Sequence, residues 1–314
     1  MKHAIPITLI LIVLFFAAQV FGLATLLNNI AIMGQDGIIS VQHQDTIVGK
    51  PPQSASGLES VTMISIAILI GTVILLLFMK FKLHKLFMVW YFFAVFTTIA
   101  VTLGVYITHF SETINIVITL SLSIALALLK IKWKHPLIHN LTELLVYAGI
   151  TVLFVSLFDK WLWSAFALLL VISVYDMFAV WKSKHMVAMA QYQQENKLFA
   201  GLTIPYTMKQ HRIMPGKKMH KPADLVATRT AILGGGDIAF PLLFSGAVLS
   251  TLITKYALPI KSAFHLTLII SLFATIALTG LLIKGKKNSF YPAMPFISAG
   301  CFLGYLVVMI IIRL

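Results

Sequence analysis

The chain alternates between long apolar runs and short polar segments. Nine runs are long enough to cross a bilayer as helices, which takes about 20 apolar residues. They cover residues 4–27, 61–79, 86–107, 114–131, 140–158, 161–181, 231–254, 262–283 and 291–312. A bilayer core offers no solvent to an open sheet edge, so runs that cross it must be helical. The pattern therefore predicts an all-α polytopic membrane protein with about nine transmembrane helices.

Two longer polar segments divide this series of spans. Residues 28–60 form one, and residues 182–230, which are strongly basic, form the other. We therefore predict an N-terminal six-helix part (1–181), a basic loop (182–230) and a C-terminal three-helix part (231–314). The first run lacks a clear small-residue cleavage site, so we expect it to be a retained helix and not a cleaved signal sequence.

The basic residues lie mostly on one side of the predicted membrane. Of the 24 Lys and Arg residues, 19 fall in segments on the same side as the N-terminus. Cytoplasmic loops are the ones enriched in Lys and Arg, so this asymmetry predicts a cytoplasmic N-terminus and an extracytoplasmic C-terminus. The net charge of +14 is then explained by orientation, with anionic membrane lipids as the alternative partner of the basic loop. It does not indicate nucleic-acid binding.

Composition excludes several kinds of site. Only 11% of the residues are charged, against about 25% in soluble domains. The single cysteine, Cys301, excludes a disulfide scaffold or a cysteine-rich metal site, and the histidines are scattered. We predict no metal and no cofactor.

Among ten acidic residues, two lie well inside apolar runs: Asp176 in LLLVISVYDMFAVW and Asp237 in ILGGGDIAFPLLF. Glu143 lies within about one turn of a span end, where we expect its side chain to reach water. An aspartate at the centre of a membrane helix costs roughly 2.5–3.5 kcal/mol, so such residues are functional candidates.

The two aspartates are predicted to lie at similar depth. Asp176 precedes the end of the sixth span at Trp181 by five residues, and Asp237 follows the start of the seventh at Ala231 by six. Both should lie roughly 8–9 Å inside the cytoplasmic boundary. Close carboxyls on neighbouring helices should share one proton, which suits the hydrolysis of a peptide bond by an activated water.

Flexible and rigid backbone segments flank these positions. Gly234, Gly235 and Gly236 directly precede Asp237 and remove side-chain bulk beside it, although glycine also serves close helix packing. Pro292 and Pro295 bracket the start of the last span. They suit a first helical turn, and their placement would also let this segment form a wall of the site.

Three segments together resemble the presenilin and signal peptide peptidase family of intramembrane aspartyl proteases. Tyr175-Asp176 resembles the YD motif, Gly234-Gly235-Gly236-Asp237 the GxGD motif, and Pro292-Ala293-Met294 the PAL motif. Their order and their placement on the sixth, seventh and ninth spans also match, so the resemblance covers the whole chain. The short ends look like those of an archaeal-type homologue.

The resemblance implies a function and a set of site residues. Asp176 and Asp237 would be catalytic, and the other residues of the three motifs, with Pro295, would shape the site. Two departures are Gly235, where relatives often have leucine, and Met294 in place of the leucine of PAL. Substrates would be single-span membrane proteins or signal peptides, and the protein would be a multi-pass protein of the cell membrane. Assembly into a homo-oligomer stays open.

Two other interpretations compete with the protease. Buried aspartates also serve as proton relays in proton- or ion-coupled transporters, but no inverted repeat or pair of broken helices is evident. A non-catalytic scaffold would not need matched acids. Zinc and serine proteases are disfavoured because the sequence has no HExxH and no GxSxG.

Overall fold

The computed structural model describes residues 5–35, 38–53, 55–133, 135–182, 188–189, 192–193, 198–210, 225–285 and 291–313. Within these residues nine helices are long and apolar enough to cross a membrane, which confirms the predicted fold class. They are α1 (Ile5–Asn29), α2 (Gly57–Lys80), α3 (His84–Tyr106), α4 (Glu112–Lys132), α5 (Pro136–Phe154), α6 (Leu162–Met177), α7 (Gly235–Thr254), α8 (Ile260–Lys284) and α9 (Met294–Arg313). A 3₁₀ turn (Val155–Leu157) extends α5, and a π-helical turn (Phe178–Lys182) extends α6.

Helix α7 lies at the centre of the bundle. Sixteen of its 20 residues are buried, and it contacts α1, α5, α6, α8 and α9. Small residues allow this enclosure: a Cβ atom at Gly246 would lie 2.6 Å from the side chain of Val155. The buried Gln19 amide of α1 also donates a hydrogen bond of 2.9 Å to the Ile238 carbonyl of α7.

Helices α8 and α9 pack closely through a pair of glycines four residues apart. A Cβ at Gly300 would lie 2.7 Å from the Phe273 carbonyl, and one at Gly304 would lie 2.7 Å from Ile270 Cα. Helices in lipid gain little from burying apolar surface, so close backbone contact of this kind is a main source of association.

The outer faces of α2, α3 and α4 are rich in exposed large apolar side chains, such as Leu69, Val73, Phe93 and Leu122. On a soluble protein so much exposed apolar surface would drive association. On a bundle of membrane-spanning helices it is the surface that meets the lipid chains.

Two β-hairpins occupy segments that the sequence analysis treated as loops. Strands β1 (Ile30–Gln35) and β2 (Ile38–His43) pair antiparallel directly after α1. Strands β3 (Gly201–Gln210) and β4 (Leu225–Gly234) pair antiparallel, and all of this hairpin except the last four residues of β4 lies inside the predicted basic loop. Most of the basic side chains of that loop lie outside the described residues.

The seventh helix begins four residues later than predicted. Residues 231–234 end β4, and α7 starts at Gly235. Only two residues, or about 3 Å of helix rise, separate this start from Asp237, so helix rise counted from Ala231 no longer applies to it, and the depth of 8–9 Å stays a prediction. The predicted orientation of the termini stays a prediction.

Candidate active site

Asp176 lies near the end of α6 and is 4% exposed. Its Oδ2 atom accepts a hydrogen bond of 3.1 Å from the backbone N–H of Met294, and the neighbouring Ala293 N–H also acts on the carboxyl group. The Pro-Ala-Met segment predicted to wall the site therefore contacts Asp176 directly through its backbone.

Asp237 lies in the first turn of α7 and is 9% exposed. Gly234 caps this helix in an extended conformation, with φ −62° and ψ 144°. A Cβ atom on Gly234 would lie 3.2 Å from Asp237 Oδ2, so this glycine leaves room beside the carboxyl group. A Cβ on Gly235 would lie 3.3 Å from the Ala200 carbonyl oxygen, and one on Gly236 would lie 3.3 Å from the Phe240 ring.

The helices that carry the three motifs contact one another. Helices α6, α7 and α9 pack in all three pairwise combinations. One turn from Asp176, the buried Ser173 hydroxyl donates a hydrogen bond of 3.0 Å to Ser298 of α9. Further along, the ring centroid of Phe166 on α6 lies 4.8 Å from that of Phe244 on α7 and 5.2 Å from that of Phe302 on α9. These contacts fix the relative positions of the two aspartate-bearing helices and of α9.

The remaining predicted residues lie around this site in different ways. Pro292 is buried, and Pro295 is half-buried in the first turn of α9. The Ala293 carbonyl oxygen accepts hydrogen bonds of 3.1 Å from the N–H groups of Phe296 and Ile297. The Tyr175 hydroxyl hydrogen-bonds at 3.0 Å with Thr72 of α2, so this tyrosine ties α6 to a lipid-facing helix.

Helix α5 covers the outer edge of β3. Asn140 donates from its amide to the Thr203 carbonyl oxygen at 2.9 Å and accepts from the Thr203 N–H at 3.0 Å. The His139 Nε2 atom lies 2.8 Å from the Gly201 carbonyl oxygen. Along a strand of an antiparallel pair, the backbone N–H and C=O groups of successive residues point alternately to the partner strand and away from it. The backbone groups of Gly201 and Thr203 therefore point away from β4. Pro205 is the next outward position, where no N–H is needed.

The register then defines the outer edge of β4. Thr203 pairs with Ile232, and Pro205 pairs with Thr230. Because members of a non-hydrogen-bonded pair both point their backbone groups away from each other, Ile232 and Thr230 direct N–H and C=O groups away from β3. This edge leads directly into the helix that carries Asp237.

Glu143 does not reach water, contrary to the sequence-based expectation. Its carboxylate accepts a hydrogen bond of 2.6 Å from Lys130 Nζ of α4, and the two side chains are 2% and 1% exposed. Lys130 also donates to Thr142 Oγ1 at 3.2 Å and to the His139 carbonyl oxygen at 3.4 Å. An ammonium has three protons, so each has an acceptor in this buried site.

Several residues that build the site were missed by sequence reasoning. The hydrogen bonds of Asn140 with Thr203 and of Ser173 with Ser298 join segments that are far apart in the chain, and no local sequence pattern marks them. The Lys130–Glu143 pair had a recognisable signal: opposite charges at apolar span ends, flanking a short turn.

Comparisons with known proteins identify the family and the fold of the chain. The chain matches the family model described as signal-peptide peptidase, presenilin aspartyl protease, over residues 10–314. Its structure resembles a solved structure described as a presenilin family intramembrane aspartate protease. The TM-score is 0.62 and the identity 16%, with 97% of this chain and 99% of that chain covered. A search among curated proteins gave no significant match. At this identity, the structural likeness concerns the fold alone.

Proposed function

The chain belongs to the signal-peptide peptidase and presenilin family of aspartyl proteases, and from this premise we propose that Asp176 and Asp237 are its catalytic pair. It is an integral, multi-pass intramembrane aspartic endopeptidase. The observation that carries the assignment of the pair is the contact of Asp176 with Met294. This hydrogen bond joins the YD-like and PAL-like segments, on helices that both pack against the helix of Asp237.

The proposed reaction is hydrolysis of a peptide bond without a covalent intermediate. One carboxylate of the pair takes a proton from a water molecule while the oxygen of that water adds to the scissile carbonyl carbon. The other, protonated carboxyl donates to the carbonyl oxygen, giving a tetrahedral diol. Collapse of the diol breaks the C–N bond, and the departing nitrogen receives a proton from the pair. Burial favours the shared single proton, because two adjacent carboxylates cannot both ionise in a medium of low dielectric.

The proposed substrates are single-span membrane proteins or signal peptides. Peptide bonds of an intact helix are hydrogen-bonded and shielded, so a substrate must unwind locally before it is cut. Glycine and proline lower the cost of unwinding, by about 1 and 3 kcal/mol per residue relative to alanine. We expect the best substrates to carry such residues near the level of Asp176 and Asp237.

The outer edge of β4 is the surface on which an unwound substrate would dock. Thr230 and Ile232 offer outward backbone groups that match those of an extended peptide. The other edge of the hairpin is closed by Asn140. An extended segment on β4 would run beside the backbone that leads to Asp237, which supports cleavage close to the paired region.

The test is cleavage of a single-span peptide by the purified protein in liposomes, with products identified by mass spectrometry. Asp176→Asn and Asp237→Asn should each lower turnover by at least about 100-fold. Asp45→Asn, the same change on an exposed loop aspartate, should leave it unchanged. Substantial turnover by either of the first two purified variants would exclude the proposed pair.

Residence in the cell membrane and contact with anionic lipids are further parts of the proposal. Fractionation of cells that express a tagged chain tests the first, and cleavage rates in liposomes with and without anionic lipid test the second. Family membership supports peptide hydrolysis over the transporter and scaffold interpretations.

A further inference from the structure

A cavity of about 410 Å³ lies at the end of the bundle opposite the proposed active site. It is formed by the start of α6, the end of α7 and the second half of α9, and its walls include two lysines and four aromatic residues: Lys160, Trp161, Trp163, Lys255, Tyr256 and Tyr305. Asp176 lies 14 residues beyond Leu162 along α6, or about 21 Å at the rise of an α-helix. The cavity is therefore separate from the proposed catalytic pair.

The turn that leads into α6 forms one wall of the cavity and is held in place by α2. The Ser60 hydroxyl of α2 donates a hydrogen bond of 2.6 Å to the Leu157 carbonyl oxygen at the start of this turn. A Cβ atom on Gly57 would lie 2.6 Å from the Trp163 ring, so the glycine lets the ring pack against the first residue of α2. A wall that is fixed in advance lowers the entropic cost of binding a ligand.

The charges that line the cavity are mostly positive. Only five of the 24 Lys and Arg residues belong to this end of the helices, and two of the five, Lys160 and Lys255, line the cavity. Within the described part of the chain, neither ammonium group forms a salt bridge. Asp159 also belongs to the lining, but its Oδ2 atom lies 2.6 Å from His43 Nε2 and its Oδ1 atom is buried. The charges open to a ligand are therefore the two ammonium groups.

The aromatic residues indicate the level of the cavity in the membrane. Trp161 and Trp163 lie at the start of α6, and Tyr256 follows the end of α7. Trp and Tyr at the ends of spans lie at the level of the lipid headgroups, which is also where a lysine at the end of a span places its ammonium group. The abundant anion at this level is the phosphodiester of a phospholipid. A choline headgroup would also carry a cation toward the two lysines, so a headgroup without a cation fits better.

We propose that this cavity binds the headgroup of one anionic phospholipid, with Lys160 and Lys255 on the phosphodiester and the Trp161 and Trp163 rings beside the glycerol backbone. The volume suits one headgroup, since ligand sites in proteins measure about 300–1,000 Å³. The bound lipid would join the start of α6 to the end of α7 and so stabilise the packing of these two helices. The inference does not depend on the proposed catalytic pair.

The first experiment measures thermal unfolding of the purified protein in detergent with added phosphatidylglycerol or phosphatidylcholine. Phosphatidylglycerol should raise the melting temperature by about 2–4 °C near saturation, and phosphatidylcholine should not. The double variant Lys160→Gln with Lys255→Gln should lose most of this shift. The matched control is Lys50→Gln with Lys261→Gln, which removes two exposed cations from the same end of the helices but outside the cavity, and it should keep the shift. Equal shifts for the two double variants, or no shift in the wild type, overturn the inference.

The second experiment identifies the bound molecule. Native mass spectrometry should show one phosphatidylglycerol retained by the wild type and by the control variant, and none by Lys160→Gln with Lys255→Gln. Inorganic phosphate and a soluble acidic peptide are tested in place of the lipid. A shift in melting temperature that depends on Lys160 and Lys255 but is produced by either of these probes as fully as by phosphatidylglycerol would show a site for a free anion or a peptide, and overturns the inference.

The lipid site and the catalytic pair are tested separately. Asp237→Asn should respond to phosphatidylglycerol like the wild type, because Asp237 lies in the first turn of α7 and the cavity lies at the end of that helix. If Asp237→Asn keeps its turnover, the catalytic pair fails and the lipid site stands. If phosphatidylglycerol has no effect while Asp237→Asn is inactive, the lipid site fails and the catalytic pair stands.

Discussion

The amide of Asn140 closes the outer edge of β3, and its removal gives a quantitative test of how α5 holds the hairpin. Asn140→Leu keeps a side chain of similar length but removes both hydrogen bonds to Thr203, of 2.9 and 3.0 Å.

The expected loss follows from the state of the groups left behind. Each hydrogen bond contributes about 1 kcal/mol net, and a buried group left without a partner costs roughly 1–3 kcal/mol. Asn140 is 7% exposed, so water replaces its amide poorly. We therefore expect Asn140→Leu to lower the free energy of unfolding by about 2–4 kcal/mol.

Asn115 provides a matched control within the same chain. Its side chain makes the same reciprocal pair of hydrogen bonds with the Phe110 backbone, of 3.1 and 2.9 Å, on an exposed helix end. Water can take over these bonds, so Asn115→Leu should cost less than about 1 kcal/mol.

The assays are thermal unfolding in detergent and cleavage of a single-span peptide. Because β3 and β4 lead into the helix of Asp237, Asn140→Leu should also lower kcat at temperatures where the protein is folded. Equal losses of stability for Asn140→Leu and Asn115→Leu would refute the reasoning. So would full activity of a destabilised Asn140→Leu.

Two further predictions concern α9. Gly304→Leu should lower the free energy of unfolding by about 1–3 kcal/mol or more, because a Cβ atom there would lie 2.7 Å from Ile270 Cα. Gly280→Leu is the control and should have little effect, since a Cβ atom at that position would have no neighbouring atom within 4 Å. Equal melting temperatures for the two variants would contradict the close α8–α9 contact. Met294→Pro removes the N–H that donates to Asp176 Oδ2, at a first helical position that tolerates proline. The ionised carboxyl group loses a donor, so the acidic limb of the pH–rate profile should move to higher pH, whereas Met294→Ala keeps the N–H and should leave the profile unchanged. Identical profiles for the two variants would show that this hydrogen bond does not act on the reaction.

The helices could be predicted because the thickness of the membrane core requires about 20 consecutive apolar residues for each span. Such a run is visible in the sequence without any knowledge of tertiary contacts. The two aspartates could be found for the same reason: an acid inside such a run stands out against its neighbours. The pairing of the PAL-like segment with Asp176, in contrast, is a contact between backbone and side chain over 118 residues, and no pattern along the chain encodes it.

The start of α7 was misplaced because the last four residues of β4 carry no polar side chain and run directly into the helix. Ala231, Ile232 and Leu233 read as the first turn of a span, although they pair with β3. The change from strand to helix occurs at Gly234, whose extended conformation caps the helix. Composition alone cannot separate these two conformations when both are buried.

The hairpin β3–β4 was missed for a related reason. The segment from Gly201 alternates only weakly, and Pro205 argues against a strand unless the strand lies at an edge. Its outer edge is stabilised by His139 and Asn140, which lie more than 60 residues away in the chain. The strand therefore depends on tertiary contacts with α5.

The buried pair of Lys130 and Glu143 has a consequence for biogenesis. Either residue alone would oppose the insertion of its helix, although by less than the roughly 2.5–3.5 kcal/mol of a charge at the centre of a span. Only three residues of the chain separate the end of α4 at Lys132 from the start of α5 at Pro136, so the two helices can meet as soon as both have emerged from the ribosome. We expect them to enter the bilayer together, as a helical hairpin whose two charges already neutralise each other, and to be inserted poorly when synthesised one at a time.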